Sequence, residues 1–294
     1  MKNQYRGWQI ASHLVLGLFS LACILPFVLL FISSITDDKA IVRDGYSFFP
    51  SELSFGAYEY LWRNSDTIVH AYGITILITV VGTAISLMIT SLLAYPLSRR
   101  DLPGGKILAF IVFFTLLFNG GLVPTYMVYT KVFELQNTIW AQLIPWLLMN
   151  GFNVLLMRAF FTNTIPTAVI ESASIDGASE FKIYYRIILQ LSLPILATIG
   201  LFQALAFWND WNNGLIFIND PNLLNLQNVL NRIMSNIEFL SMNSSMGATD
   251  ALAMLPKETF RMAIAVVAIV PILLAYPFFQ KYFVKGLMIG AVKG

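Results

Sequence analysis

The chain has 294 residues, 57% of them hydrophobic and 12% charged, with 18 Lys and Arg against 16 Asp and Glu for a net charge of +2. Soluble domains carry about 25% charged residues, so a soluble globular enzyme is excluded, and a balance this close to neutral excludes a basic nucleic-acid binder. Cys23 is the only cysteine, which excludes internal disulfides and cysteine-rich metal sites.

Six apolar stretches reach the roughly 20 residues that cross a bilayer core. They lie near 13–35, 71–98, 107–130, 135–157, 187–209 and 262–280, and none contains Asp, Glu, Lys or Arg. The expected fold class is an all-α membrane protein of six transmembrane helices, forming one domain over 1–294. The first stretch exceeds a secretory h-region of about 7–15 residues and lacks a clear small-residue cleavage site, so it reads as a span rather than a removed signal. His13 and His70 stand isolated at span ends, where a structural or interfacial role is expected.

Residues 36–70 form a first long loop, with turn signals at Asp44-Gly45 and Phe49-Pro50. The short 99–106 loop carries Arg99, Arg100 and Lys106. Residues 210–261 form a second long loop with a turn at Asp220-Pro221. Its 225–240 part has apolar residues at helical spacing, so an amphipathic helix is expected there, either a packed cap or a contact for an external protein. Placing both termini inside puts 11 basic and four acidic residues on the inner segments, against seven basic and 12 acidic on the outer ones. That Lys/Arg bias orients the spans and puts 158–186 in the cytoplasm.

The 158–186 segment is polar and charged between two apolar runs. Pro166 suits a first helical position with Thr164 as its N-cap. Asp176-Gly177 is a turn dipeptide, and Ser179 caps a second short helix that continues into the apolar run from Ile187. A solvated loop is the plain alternative; the caps and the continuity with a span argue for a docking surface.

The spans lack the buried carboxylates or histidines that ion-coupled carriers use. Their polar groups are uncharged: Asn119, Gln142, Asn150, Asn153, Gln203 and Asn209, with Tyr126 and Trp208 nearby. Amides, hydroxyls and aromatic faces suit a neutral hydroxyl-rich solute. Each amide also fits the role of interhelical glue. Asn119, Tyr126, Asn150, Asn153, Gln203, Trp208 and Asn209 are the candidate pathway-lining residues. Pro96, Pro124, Pro145 and Pro194 are expected to kink or break helices. No GxxxxGK[ST], HExxH or nucleophile elbow occurs, so catalytic and metal-binding residues are not expected.

Glu171, Ala173, Gly177, Ile187 and Pro194 stand as in the EAA motif of importer-type ABC permeases, with Ser172 in place of the middle Ala. Gln190 replaces a Pro that many members carry, so a less kinked junction is expected there. FNGGLVPTY (118–126), WNDWNN (208–213), LPKETFRMA (255–263) and YPFFQKYFVKGLMIGAVKG (276–294) extend the likeness over nearly the whole chain. The chain resembles the carbohydrate, MalG-like branch of that family, and within it the LplC/YtcP subgroup.

The resemblance implies a type I ABC importer permease fold in a bacterial cytoplasmic membrane. It implies that Glu171, Ser172, Ala173, Asp176, Gly177 and Ala178, within a coupling segment 162–186, dock on an ATP-binding subunit. The tail after Tyr282 is implied to lie near the same subunits. Implied partners are a second homologous permease, two ATP-binding subunits that hold ATP and Mg, an extracytoplasmic solute-binding protein and membrane lipid. No cofactor is implied on this chain. The subgroup points to oligosaccharides from complex polysaccharides, uronate-containing fragments among them. Two other classes remain. An ion-coupled carrier or channel would transport alone and would need an intramembrane ionisable group. An anchor or receptor subunit would leave the polar groups and prolines of the spans unexplained.

Overall fold

The computed structural model describes residues 2–243 and 257–291. Among these the secondary structure is helical, with one isolated antiparallel bridge, Thr36 to Leu53. The chain divides into two compact units: one runs up to Ile68 and includes Leu230–Pro271, and the other comprises Val69–Val229 and the chain from Ile272.

In the first unit, α1 (Lys2–Ser34) is apolar and exposed from Trp8 to Val28, and becomes buried at Ser33 and Ser34. Helix α2 (Asp38–Asp44) begins where the Asp37 carboxylate accepts from the Lys39 amide and ends at Gly45, whose φ of 78° stops it. Helix α3 (Gly56–Arg63) follows. The Asp38 carboxylate accepts from the amides of Glu258 (2.8 Å) and Thr259 (3.1 Å) in the first turn of the final helix, which we number α15 (Lys257–Ala291). A distant loop thus supplies the acceptor that a helix N-terminus needs. The Tyr46 hydroxyl donates to Glu258, and Tyr60 meets Phe260 edge to face at 5.0 Å.

The second unit is built around α4 (Ser65–Ser98). Its buried stripe, Ala71, Thr75, Ile78, Gly82, Ser86, Thr90 and Ala94, recurs every three or four residues and is made of small side chains except Ile78. Close approach follows: a Cβ on Gly82 would lie 2.5 Å from the ring of Phe207.

Then come α5 (Gly105–Leu117), α6 (Leu122–Met127) running into a π turn (Val128–Val132), α7 (Trp140–Leu143) and α8 (Gly151–Thr164). Helices α9 (Thr167–Ile175) and α10 (Glu180–Ile183) precede a second π turn (Tyr184–Ile188), α11 (Leu189–Leu191) and α12 (Leu193–Trp208). Helix α13 (Asn212–Phe217), a 3-10 turn (Pro221–Leu223) and α14 (Leu226–Asn243) complete the order. Helix α14 realises the helix expected over 225–240 and buries Leu226, Val229, Leu230 and Ile237.

The spans depart from six straight rods. Among the described residues three helices, Trp8–Ser34, Ser65–Ser98 and Lys257–Pro277, are long and apolar enough to cross a bilayer unbroken. Residues 107–130 instead bend by 114° between Gly105–Leu117 and Leu122–Val132. The bend falls at Gly120-Gly121, where Gly121 takes φ 83° and its amide bonds the Asn119 side chain. The 135–157 stretch is interrupted between Leu143 and Gly151, around Pro145 and the left-handed Trp146. The junction at Gln190 bends by 80° despite the missing Pro. Ser192 leaves helical geometry there (ψ 10°), and Pro194 offers no amide to extend the preceding turn.

One apolar core positions the 162–186 segment. Tyr95 and Leu97 of α4, Val112 of α5, Met157 and Phe161 of α8, Ile170 of α9, Ile183 of α10, Tyr184 of the second π turn and Ile195 of α12 pack into one cluster.

Candidate functional site

The first helix of the polar segment, α9, follows Pro166, which lies just outside it in extended geometry; Thr164 is the last residue of α8 and caps nothing. This corrects the expected cap. Burial of Ile165 and Ile170 in the core, rather than side-chain capping, sets where α9 begins.

Its end matches expectation. Gly177 has φ 75°, its amide bonds the Ser174 carbonyl, and the Ala178 amide bonds the Ala173 carbonyl at 3.0 Å. These two bonds form a Schellman closure, which needs a left-handed residue at the glycine position. Ala173 and Ala178, joined by that closure, both pack against the core. Ser179 then accepts from the Lys182 amide and starts α10.

The alanines therefore face inward, while Glu171, Ser172, Asp176 and Gly177 are exposed, and Ile175 is 86% exposed on the Glu171 face. Among the described residues the Glu171 carboxylate receives no hydrogen bond, so it does not cap its own turn.

Behind this face lies a polar contact that the sequence marks only faintly. The Tyr95 hydroxyl donates to Glu180 Oε2 at 2.7 Å, and Arg99 Nη2 stands 3.4 Å from Glu180 Oε1. Arg99 also grips Asp101 with both arms of its guanidinium at 3.0 Å, which holds the Asp101 carboxyl below its ordinary value. One turn along α4, the Ser91 and Tyr184 hydroxyls meet at 2.7 Å. Tyr95, Arg99, Asp101, Glu180 and Tyr184 border a cavity of about 510 Å³ whose apolar walls include Leu92, Pro96, Leu102 and Phe181. Ser91 and Tyr95 on α4, with Arg99 just past its end, recur at i, i+4 and i+8; only that polar stripe, at a span end, hints at the contact.

The candidate pathway residues scatter. Asn150 caps α8 by accepting from the Phe152 amide, and Asn119 shapes the bend at Gly121. Gln203 is buried, donating to Ser86 Oγ and to the Leu147 carbonyl. Asn153 is buried in α8. Tyr126 stacks on Phe217 at 5.8 Å, Trp208 lies 6.3 Å from Tyr72, and exposed Asn209 donates back to the Leu205 carbonyl.

Several amides serve the broken backbone. Gln142 donates to the Leu223 carbonyl, Asn213 to the Pro145 carbonyl, and the Arg158 side chain to the Leu97 carbonyl at the end of α4. An unpaired carbonyl in an apolar setting costs several kcal/mol, so amides at these points permit the interruptions. Asp210, at the turn after α12, was not singled out from sequence. One oxygen accepts from the Asn212 and Asn213 backbone amides; the other is buried without a donor among the described residues, and burial raises the carboxyl to about 6.

No family model matches the chain. It is 38% identical over 294 residues to the polygalacturonan/rhamnogalacturonan transport system permease protein YtcP of Bacillus subtilis (strain 168), covering 100% of both chains. The chain belongs to the carbohydrate ABC transporter permease family. LplC of the same organism is 38% identical over 289 residues, 98% of this permease and 96% of LplC. Among solved structures, a bacterial ABC transporter involved in the import of the acidic polysaccharide alginate superimposes with a TM-score of 0.76 at 29% identity. That match covers 95% of this permease and 97% of the solved chain. The permease is thus a multi-pass, all-α membrane component of a transport system rather than an enzyme.

Proposed function

We propose that this permease is one of two membrane subunits of an ATP-driven importer for oligosaccharides released from complex, uronate-containing polysaccharides, in a bacterial cytoplasmic membrane. The chain acts as one transmembrane domain with both termini inside, and the bent and interrupted stretches complete six crossings. A second, related permease supplies the other half of the pathway. Two ATP-binding subunits carry ATP and Mg, and an extracytoplasmic binding protein delivers the sugar. No group on this chain does chemistry.

The observation that carries this reading is the 162–186 segment: a Schellman-closed turn that packs Ala173 and Ala178 against the core and presents Glu171, Ile175 and Asp176 outward, with the Glu171 carboxylate unspent among the described residues. An exposed apolar side chain beside a free carboxylate is a surface that gains by being covered. Asn119, Tyr126, Asn150, Asn153, Gln203, Trp208 and Asn209 remain the proposed pathway set, with Asn150 and Gln203 acting through the scaffold. A uronate charge is met outside this chain's spans. Arg43 and Arg63 are already paired with Asp44 and Glu59.

The test is co-purification. The tagged chain, expressed with its neighbouring genes, is expected to bring an ATP-binding subunit with it, and a Glu171→Ala, Gly177→Val variant to lose or uncouple that subunit. A chain that purifies alone and still moves solute in liposomes would overturn the reading.

A further inference from the structure

The segment that receives force from the ATP-binding subunits has two routes into the membrane. One follows the chain into α12, through a π turn, the three-residue α11 and an 80° bend. Such a route is compliant: it changes direction at Ser192, whose buried hydroxyl finds no hydrogen-bond partner among the described residues. The other route crosses to α4. There Ser91 and Tyr95, with Arg99 just past the helix end, oppose Glu180 and Tyr184, four residues apart.

The rungs are directional and short, 2.7 Å from Tyr95 to Glu180 and 2.7 Å between Ser91 and Tyr184. The base of the ladder is fixed from both sides. Tyr95 is buried in the core, and Arg99 is held by Asp101. The Glu180 side chain is 61% exposed, so its ion pair adds little stability, and a device for stability would not be built there. What a charge-assisted bond does supply is position.

We propose that Glu180 is a positioning residue that yokes α4 to the coupling segment, so that the stroke of the ATP-binding subunits is delivered to α4 through the Tyr95–Glu180–Arg99 latch rather than mainly along the chain into α12. This rests on the importer reading. It adds which span moves and which side chains move it.

The test uses the assembled importer with its binding protein in liposomes, in a Cys23→Ala background carrying Gly73→Cys at the far end of α4. Position 73 is exposed, and a Cβ there meets nothing within 4 Å. Labelling by an impermeant maleimide is followed before and after trapping with ATP and vanadate. Trapping is expected to change the labelling rate about fivefold or more, the lower end of ordinary coupling between sites. Tyr95→Phe with Glu180→Ala is expected to abolish the change while vanadate trapping persists.

Single variants rank the cause. Glu180→Gln keeps the length and an acceptor for Tyr95, so it should retain most of the response; Glu180→Asp keeps the charge but falls short, and should lose it. A labelling change that survives the double variant, a response absent from the parent although nucleotide is trapped, or the reverse ranking of Gln and Asp would overturn the latch. Failure of the parent to assemble with an ATP-binding subunit is a different result: it removes the importer reading itself, and the latch with it.

Discussion

Asp210 carries a carboxylate whose second oxygen is buried without a donor among the described residues, and burial raises it from 3.8 to about 6. Between these values the folded chain binds more protons than the unfolded one. Its contribution to stability is therefore full below about pH 4 and is lost as pH rises through about 6, on the order of 2 kcal/mol. Thermal unfolding in detergent at pH 4.5 and 7.5 should show the parent losing ground against Asp210→Asn at the higher pH. A constant difference would assign the buried oxygen a partner that keeps it charged.

Gly82 makes a steric prediction of the same scale. Gly82→Ala drives a methyl into the Phe207 ring, at a cost of about 1–3 kcal/mol. Adding Phe207→Leu should return part of the lost melting temperature, and strict additivity of the two would deny the contact. Gly177 differs, because a Cβ there meets nothing within 4 Å and only its left-handed backbone resists substitution.

At the level of elements, the interruptions and the amides belong together. Gln203 pairs the Leu147 carbonyl, in the gap after α7, with Ser86 on α4. Gln203→Leu strands both, costing about 1–3 kcal/mol, and should lower the melting temperature whatever sugar is present. Unchanged melting with altered import would instead make Gln203 a pathway residue.

Gly177 and Ser179 were readable in sequence because turn and cap chemistry is local. The breaks were half-readable: Gly120-Gly121 and Pro145 mark them, but apolar residues continue on both sides, so hydropathy joins what the backbone separates. The Tyr95–Glu180 contact, 85 residues apart, was not readable, and neither was the use of Asn150 as the cap of α8.

For the whole molecule, composition alone fixed the solvent: runs of charge-free residues need lipid, and the exposed apolar length of α1 agrees. Orientation is a prediction at this scale. In a Cys23→Ala background and intact cells, an impermeant maleimide should label Phe49→Cys, in the 36–70 loop, and should reach Asn163→Cys only after permeabilisation. The opposite pattern would invert the assignment of 158–186 to the cytoplasm. Phe49 is 92% exposed and Asn163 is exposed, so access rather than burial decides the outcome.

The Asp38 cap on α15 joins positions 220 residues apart. A ribosome finishes the acceptor long before it makes the donors. Until the last helix emerges, the carboxylate waits in the first-made loop with nothing to hold, and afterwards the first turn of that helix has a receptor already in place. The early loop thus acts as a keeper for the end of the chain, and closure of this unit is among the latest events of its biogenesis.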